Sequence, residues 1–204
     1  MAWAALKRLF DVCAAVFGLL LVAPLLGAAA ALIKLESKGP VLFCQERIGR
    51  NFRPFRIYKF RTMVPEAPLI GRALTAGEDP RITAVGRILR KTKIDELPQL
   101  VNVLRGDMSI VGPRPEVARY VALFRSDYEE IVTIRPGITD PASLKYSDEQ
   151  AVLGEAADPE REYIERILPD KIALAKSYVR QSSFLFDLSL LLKTIIKVFR
   201  LRTV

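Results

Sequence analysis

Histidine is absent from the 204-residue sequence. This excludes Ser-His-Asp and Cys-His catalysis, and histidine-ligated zinc or haem. Acid–base or nucleophilic work falls instead to Asp, Glu, Lys, Tyr, Ser or Cys. Cysteine is scarce: there are two, Cys13 and Cys44. Cys13 lies in an apolar stretch, so a disulfide framework is not expected and a reducing setting suits the polar part. No internal repeat and no low-complexity linker is found. The aromatic residues are not interleaved with basic ones as a base-stacking platform requires, which argues against a nucleic-acid partner. Acidic residues are outnumbered, 23 Asp and Glu against 31 Lys and Arg, for a formal charge of +8. Such a surface favours anionic partners, including acidic lipid headgroups and phosphate-bearing substrates.

Charge is also missing from one long stretch. Val12 to Ile33 holds no charged residue, and a helix of that length reaches ~33 Å, enough to cross a bilayer. Pro24 lies at its middle. There it removes a backbone hydrogen bond and crowds the preceding turn, so a bend or break is expected. Both flanks are basic, with Lys7 and Arg8 before and Lys34 and Lys38 after. The positive-inside rule puts both ends in the cytoplasm. A helix-break-helix that enters and leaves one leaflet meets both conditions. A plain spanning helix that tolerates its proline is the main alternative, ahead of a cleaved signal peptide and a buried core helix. Asp11 is expected near the interface, beside Lys7 or Arg8.

The polar part opens with two expected strands, Val41–Arg47 and Phe55–Arg61, joined by a turn around Gly49-Arg50-Asn51. Residues 64–80 carry Pro65, Pro68, Gly71, Gly77 and Pro80 and read as a loop. A short basic helix is expected over 85–91. Leu97, Leu100, Val101 and Leu104 follow helical spacing, and Pro98 fits only a first turn, so Asp95 is expected at or next to the N-cap. Further helices are expected over 116–131 and 158–180. From Phe184 the chain is amphipathic. Leu185, Leu188, Leu192, Ile195, Ile196 and Phe199 share one side, and Lys193, Lys197 and Arg200 tend to the other. A membrane-surface element and a terminal helix packed on the core are both open readings.

Asp95 and Glu96 are the chemically pointed residues. A carboxylate at a helix N-terminus lies at the positive end of the macrodipole, which lowers its pKa. Adjacent helical residues point about 100° apart, so the two need not share one task. One can attack phosphorus while the other helps hold a divalent cation. Magnesium suits this, because it takes few carboxylates and completes its shell with water and phosphate oxygens. A solvated helix cap would use the same pair. The surroundings argue otherwise: Lys59, Arg61, Arg81, Arg87, Arg90, Lys91, Lys93 and Arg114 crowd the same stretch, and guanidinium groups match phosphate oxygens in pairs. Pro113 and Pro115 restrain the backbone on both sides of Arg114.

These pieces carry a resemblance. Lys7-Arg8-Leu9-Phe10-Asp11, Tyr58-Lys59-Phe60-Arg61-Thr62-Met63 and Leu89-Arg90 come first. Asp95-Glu96-Leu97-Pro98-Gln99-Leu100, Asn102 through Ser109, Val111-Gly112-Pro113-Arg114-Pro115 and Arg135-Pro136-Gly137-Ile138-Thr139 follow. Nearly end to end, the chain resembles the bacterial sugar transferases, the monotopic phosphoglycosyl transferases of surface-glycan assembly, in a minimal form. The resemblance implies transfer of a sugar-1-phosphate from a nucleotide diphosphate sugar, commonly a UDP-sugar, to a polyprenyl phosphate such as undecaprenyl phosphate. It implies Mg2+, a re-entrant N-terminal helix and a catalytic face toward the cytoplasm at the bacterial inner membrane. By analogy Asp95 is the nucleophile and Glu96 its partner, with both as metal ligands. The basic field with Asp79 then supplies the substrate-binding set: Lys59, Arg61, Asp79, Arg81, Arg87, Arg90 and Arg114. Lys7, Arg8, Asp11 and Pro24 mark the membrane segment, and membrane lipid is a partner. The oligomeric state stays open, a homodimer included. Ala23 before Pro24, Asp140-Pro141-Ala142-Ser143-Leu144-Lys145-Tyr146 after Thr139, and Ala175 depart from the common pattern. None of them touches the dyad, and with them the resemblance assigns neither a sugar nor a nucleobase.

The expected fold is α+β and mostly helical: a monotopic membrane protein with a re-entrant helix-break-helix over 1–36. An interfacial catalytic domain over 37–204 follows, with a small β-hairpin and amphipathic helices. A membrane nucleotide-sugar hydrolase or phosphatase would use the same parts with water as acceptor. A non-catalytic membrane scaffold would explain the charge but leave Asp95, Glu96 and Arg114 without purpose.

Overall fold

The computed structural model describes residues 2–67 and 74–200, without the side chains of 2–4, 199 and 200. Pro68 and Gly71 of the expected loop, the side chains of Phe199 and Arg200, and residues 201–204 lie outside the described residues.

Helix α1 spans Ala2–Glu36 and runs through Pro24 without a gap. The expected break is therefore not an interruption of the helix: proline removes one N–H, and the remaining bonds carry the turn. One side of α1 lies along the rest of the chain. Ala15 packs with Leu100 and Val103, and Ala29 and Ile33 pack with Phe60 and Leu89. The opposite side is bare, with Phe17 68%, Leu20 73% and Leu21 69% exposed. By length and composition, Ala5–Glu36 is apolar enough to cross a membrane.

Asp11 is not paired with its basic neighbours. It is buried, and it accepts hydrogen bonds from Ser109 Oγ at 3.0 Å and Ile110 N at 3.0 Å. Lys7 instead pairs with Asp187, and Arg8 donates to the carbonyls of Val103 at 2.7 Å and Leu104 at 3.1 Å. The physical reason is satisfaction of a desolvated carboxylate. At this depth, fixed N–H and O–H donors replace water.

Strands β1 (Leu42–Ile48) and β2 (Pro54–Phe60) form the expected hairpin, with Leu42 opposite Phe60 and Ile48 opposite Pro54. Helix α2 is Ala84–Lys91, α3 is Gln99–Arg105 and β3 is Ser109–Val111. The fully buried Asn102 of α3 closes the free edge of β2: Tyr58 N donates to its Oδ1 at 3.0 Å, and its Nδ2 donates to Arg56 O at 2.7 Å. The helix expected over 116–131 divides at Phe124 into α4 (Ala118–Leu123) and α5 (Arg125–Ile131). That turn lets Tyr120 and Val121 join Tyr128 and Ile131 in one core. Strand β4 (Gly137–Thr139) then pairs parallel to β3.

Helices α6 (Pro141–Lys145), α7 (Glu149–Gly154) and α8 (Pro159–Glu162) lead through a π turn at Tyr163–Ile167 into α9 (Leu168–Gln181). The terminal helix α10 is Phe184–Arg200. The packing reading of this helix holds for one side of it. A narrow side carrying Asp187 and Leu190 is buried, while Leu185, Leu188, Leu192, Ile195 and Ile196 stay exposed. Together these five side chains form an apolar face that the core does not cover.

Candidate active site

The dyad does not cap an α-helix. Ile94–Glu96 is a single 3-10 turn, and α3 begins at Gln99 with Pro98 at its N-cap. Lys93 enters the turn in the left-handed conformation, at φ 57°, an uncommon state for a side chain of this size. So short a turn offers little dipole. The expectation of a lowered Asp95 pKa is accordingly overturned. Burial pushes the Asp95 carboxyl up to about 6, with the Glu96 charge adding to it, while Lys59, Lys93 and Arg90 pull the other way. Its Oδ1 is buried and has no hydrogen-bond partner among the described residues.

Glu96 behaves oppositely. Burial would raise it, but the charges of Arg114 and Lys59 outweigh burial and hold the carboxyl well below its usual range. Lys59 Nζ lies 2.7 Å from Glu96 Oε1. Arg114 Nη1 donates to Glu96 Oε2 at 3.1 Å, and its Nη2 closes the fork on Oε1. Two neighbouring carboxyls thus receive separate roles from their environments: a permanent anion and one that titrates near neutrality.

Arg114 is aimed by a unit that joins two distant motifs. Ser109 pairs with Gly137 and Val111 with Thr139 across β3 and β4. Gly112 N donates to Thr139 O at 3.0 Å, and Gly137 N donates to Pro113 O at 2.9 Å. A Cβ on Gly137 would fall 2.1 Å from Gly112 N, so this crossing requires glycine. Arg114 N then donates to Asp140 Oδ2 at 3.2 Å, and Arg114 Nη1 reaches Ile138 O at 3.4 Å.

The remaining members of the sequence-derived set separate. Arg90 lies in the field of the dyad: its charge acts on Asp95. Arg61 is buried and does not meet the dyad; its Nη2 donates to Ser37 O at 2.9 Å and Ser37 Oγ at 2.8 Å, clamping the end of α1. Asp79 and Arg81 form a bidentate pair with each other, at 2.9 and 2.6 Å. Arg87 is exposed on α2. Sequence reading missed Gln99, which is fully buried with neither amide atom hydrogen-bonded among the described residues. Its signal is its place directly after Pro98, at the first residue of α3 and close in the chain to the dyad.

The residues present fit a magnesium ion that draws most of its ligands from elsewhere. Among the described residues no cluster of three acidic, cysteine or histidine side chains exists, so a full protein cage is excluded there. Asp95 Oδ1 is an acceptor without a donor. Glu96 Oε2 accepts a hydrogen bond from Arg114 Nη1 and keeps a second lone pair. One or two carboxylates with water and substrate oxygens is the usual magnesium arrangement.

The site is thus a carboxylate dyad braced by Arg114 and Lys59, on a helical body with one bare apolar helix. The chain belongs to the bacterial sugar transferase family, whose description matches residues 2–201. A UDP-N-acetylgalactosamine-undecaprenyl-phosphate N-acetylgalactosaminephosphotransferase of Aeromonas hydrophila is 43% identical over 198 residues, covering 95% of this chain and 43% of the relative. An undecaprenyl-phosphate glucose phosphotransferase of Komagataeibacter xylinus is 41% identical over 196 residues, covering 93% and 35%. A UDP-glucose:undecaprenyl-phosphate glucose-1-phosphate transferase of Caulobacter vibrioides is 41% identical over 194 residues, covering 93% and 68%. The chain thus spans less than half the length of the first two relatives.

Proposed function

We propose that this chain transfers a sugar-1-phosphate from a UDP-sugar to undecaprenyl phosphate, releasing nucleoside monophosphate, through a covalent intermediate on Asp95. The observation that carries this reading is the divergence of the dyad. Glu96 is held as an anion between Arg114 and Lys59, while Asp95 presents a buried oxygen with no donor on it. With no hydrogen bond among the described residues to either carboxylate oxygen, Asp95 can turn an oxygen to phosphorus without breaking one.

In the first step the Asp95 carboxylate attacks the phosphorus that carries the sugar. The bond from that phosphorus to the bridging oxygen breaks, and nucleoside monophosphate leaves with the electron pair. In the second step an oxygen of undecaprenyl phosphate attacks the same phosphorus. The Asp95–phosphorus bond breaks, the lipid-linked diphosphate sugar forms, and the carboxylate is restored. Arg114 and Lys59 hold Glu96, and Arg90 places further positive charge near the phosphates. A magnesium ion held by Glu96 and Asp95 would offset the charge of the diphosphate.

The decisive assay supplies radiolabelled UDP-glucose or UDP-N-acetylgalactosamine with undecaprenyl phosphate and reads label in the lipid phase. Label appearing only as water-soluble sugar phosphate would mean a hydrolase. Activity is expected to vanish in EDTA and to return with magnesium. Full turnover in chelator would mean that the cationic side chains alone neutralise the phosphates.

The reading extends to the membrane: 1–36 as a re-entrant anchor, 37–204 as a catalytic unit at the cytoplasmic face of the inner membrane. What supports it is that both ends of α1 touch the same body. Lys7 and Arg8 engage Asp187 and α3 at one end, and Glu36 Oε1 accepts from Val85 N at 3.0 Å at the other. A spanning helix would carry one end across the bilayer. Single cysteines at the exposed positions Ala5 and Lys38, with the exposed Cys13 and Cys44 replaced, should react only with cytoplasmic reagent. Periplasmic labelling of either would restore the spanning helix.

A further inference from the structure

Three cations of the set have their charge matched by a carboxylate. Arg114 and Lys59 are paired with Glu96, and Arg81 with Asp79. Arg90 is held differently. Its Nε donates to Thr62 Oγ1 at 2.8 Å and its Nη1 to Gln150 Oε1 at 3.2 Å, both neutral acceptors. Its Nη2 makes no hydrogen bond among the described residues. Neutral acceptors fix the direction of a guanidinium without cancelling its charge, which leaves that charge available to an anion.

Gln150 belongs to α7. It is tied by more than its amide oxygen. Its Nε2 donates to Gly77 O at 2.5 Å, and its own carbonyl accepts from Gly77 N at 2.9 Å. Next to this knot the backbones of Gly77 and Gly154 meet so closely that a Cβ on Gly154 would lie 2.5 Å from Gly77 Cα. One side chain therefore joins three things: an arginine in the field of the dyad, the segment around Gly77, and α7.

We propose that Gln150 is a positioning residue for donor recognition: its neutral amide oxygen aims Arg90, with its charge intact, at the diphosphate of the nucleotide sugar. This rests on the transferase reading. If the diphosphate lies against Arg90 in the bound donor, the effect falls on donor affinity rather than on the chemical step. An acceptor of the same shape but opposite charge must then be worse than no acceptor, because it neutralises the group that binds the phosphate.

The test follows nucleoside monophosphate release from UDP-glucose and UDP-N-acetylgalactosamine by the full chain. With undecaprenyl phosphate present, release matched by label in the lipid phase secures the transferase reading; release without lipid label, or no release, sinks that reading and says nothing against the fold. Given release, Gln150→Glu should raise donor KM about tenfold, with kcat within about threefold. Gln150→Met, which loses both amide contacts but adds no charge, should raise KM by about threefold. In an Arg90→Met background, Gln150→Glu should add less than twofold. A merely structural role for Gln150, repulsion between the new carboxylate and Gly77 O included, does not depend on the charge of Arg90, so its effect would add in full to Arg90→Met and would lower Tm in step with the rise in KM. Wild-type KM in Gln150→Glu, or either of those two patterns, overturns the proposal. Titration of the same variants with donor in the Asp95→Asn background, where no turnover occurs, gives the affinities directly should rates be too low.

Discussion

Asp95→Asn should abolish nucleoside monophosphate release, a loss beyond about a thousandfold, because the nucleophile itself is removed. In the wild type, UDP-sugar alone should release the monophosphate and leave one phosphosugar on the peptide containing Asp95. The variant should show neither event. Glu96→Gln should slow both without abolishing them, since it leaves Asp95 intact while loosening Arg114 and Lys59. If intact enzyme never gains the phosphosugar mass, and kinetics require both substrates bound together, direct transfer replaces the covalent path.

The same substitution carries a stability signature. The folded-state pKa of Asp95, about 6, lies above its ordinary value of 3.8. The native state therefore holds this proton more tightly than the unfolded chain does. Stability contributed by the neutral carboxyl is present below about pH 4 and is lost as pH rises through about 6. Above that range the buried charge destabilises the protein by on the order of 1–3 kcal/mol. Asp95→Asn should accordingly raise Tm by several degrees at pH 7.5 and leave it nearly unchanged at pH 4. Thermal melts at both pH values check this, and a lowered Tm at pH 7.5 would count against burial as the origin of the shift. The first half-reaction of the wild type should weaken below about pH 6, as the nucleophile takes up its proton.

Arg114→Lys is the second large effect. Lysine keeps the charge but loses the planar fork, which holds both oxygens of Glu96 and reaches Ile138 O. A loss of about a hundredfold in kcat/KM is expected, with the fold retained. Arg114→Ala should also destabilise by about 2–3 kcal/mol, less than a fully buried pair would lose because the Arg114 side chain is 33% exposed. Urea melts measure the second effect and donor kinetics the first. Wild-type rates in Arg114→Lys would reduce Arg114 to a bystander.

Much of this molecule could be read without coordinates, and the readable parts share a cause. The hairpin, α2, α3 and the two apolar helices are local patterns of spacing, turn residues and hydropathy. The dyad stood out because its neighbours in the chain are basic. What could not be read depends on contacts between distant segments. Arg61 looked like a phosphate ligand and clamps Ser37 instead. Asp11 looked interfacial and is buried on Ser109 and Ile110. Asp95 looked ionised because local dipole arguments omit burial, and burial prevails.

By itself, then, the sequence determined the chemical inventory: no histidine, two adjacent carboxylates, a field of cations and an uncharged helix with basic flanks. Those follow from residue identity and from periodicities a few residues long. The tertiary structure alone decided which cation serves which carboxylate. It brought Val111-Gly112-Pro113 against Pro136-Gly137-Ile138 to aim Arg114, gave Glu96 its two partners, and set Gln150 beside Arg90. The physical reason is that charge is long-ranged but direction is not. Composition can announce that a carboxylate will find a cation, whereas a fork held at hydrogen-bond distance exists only once strands far apart in the chain have paired.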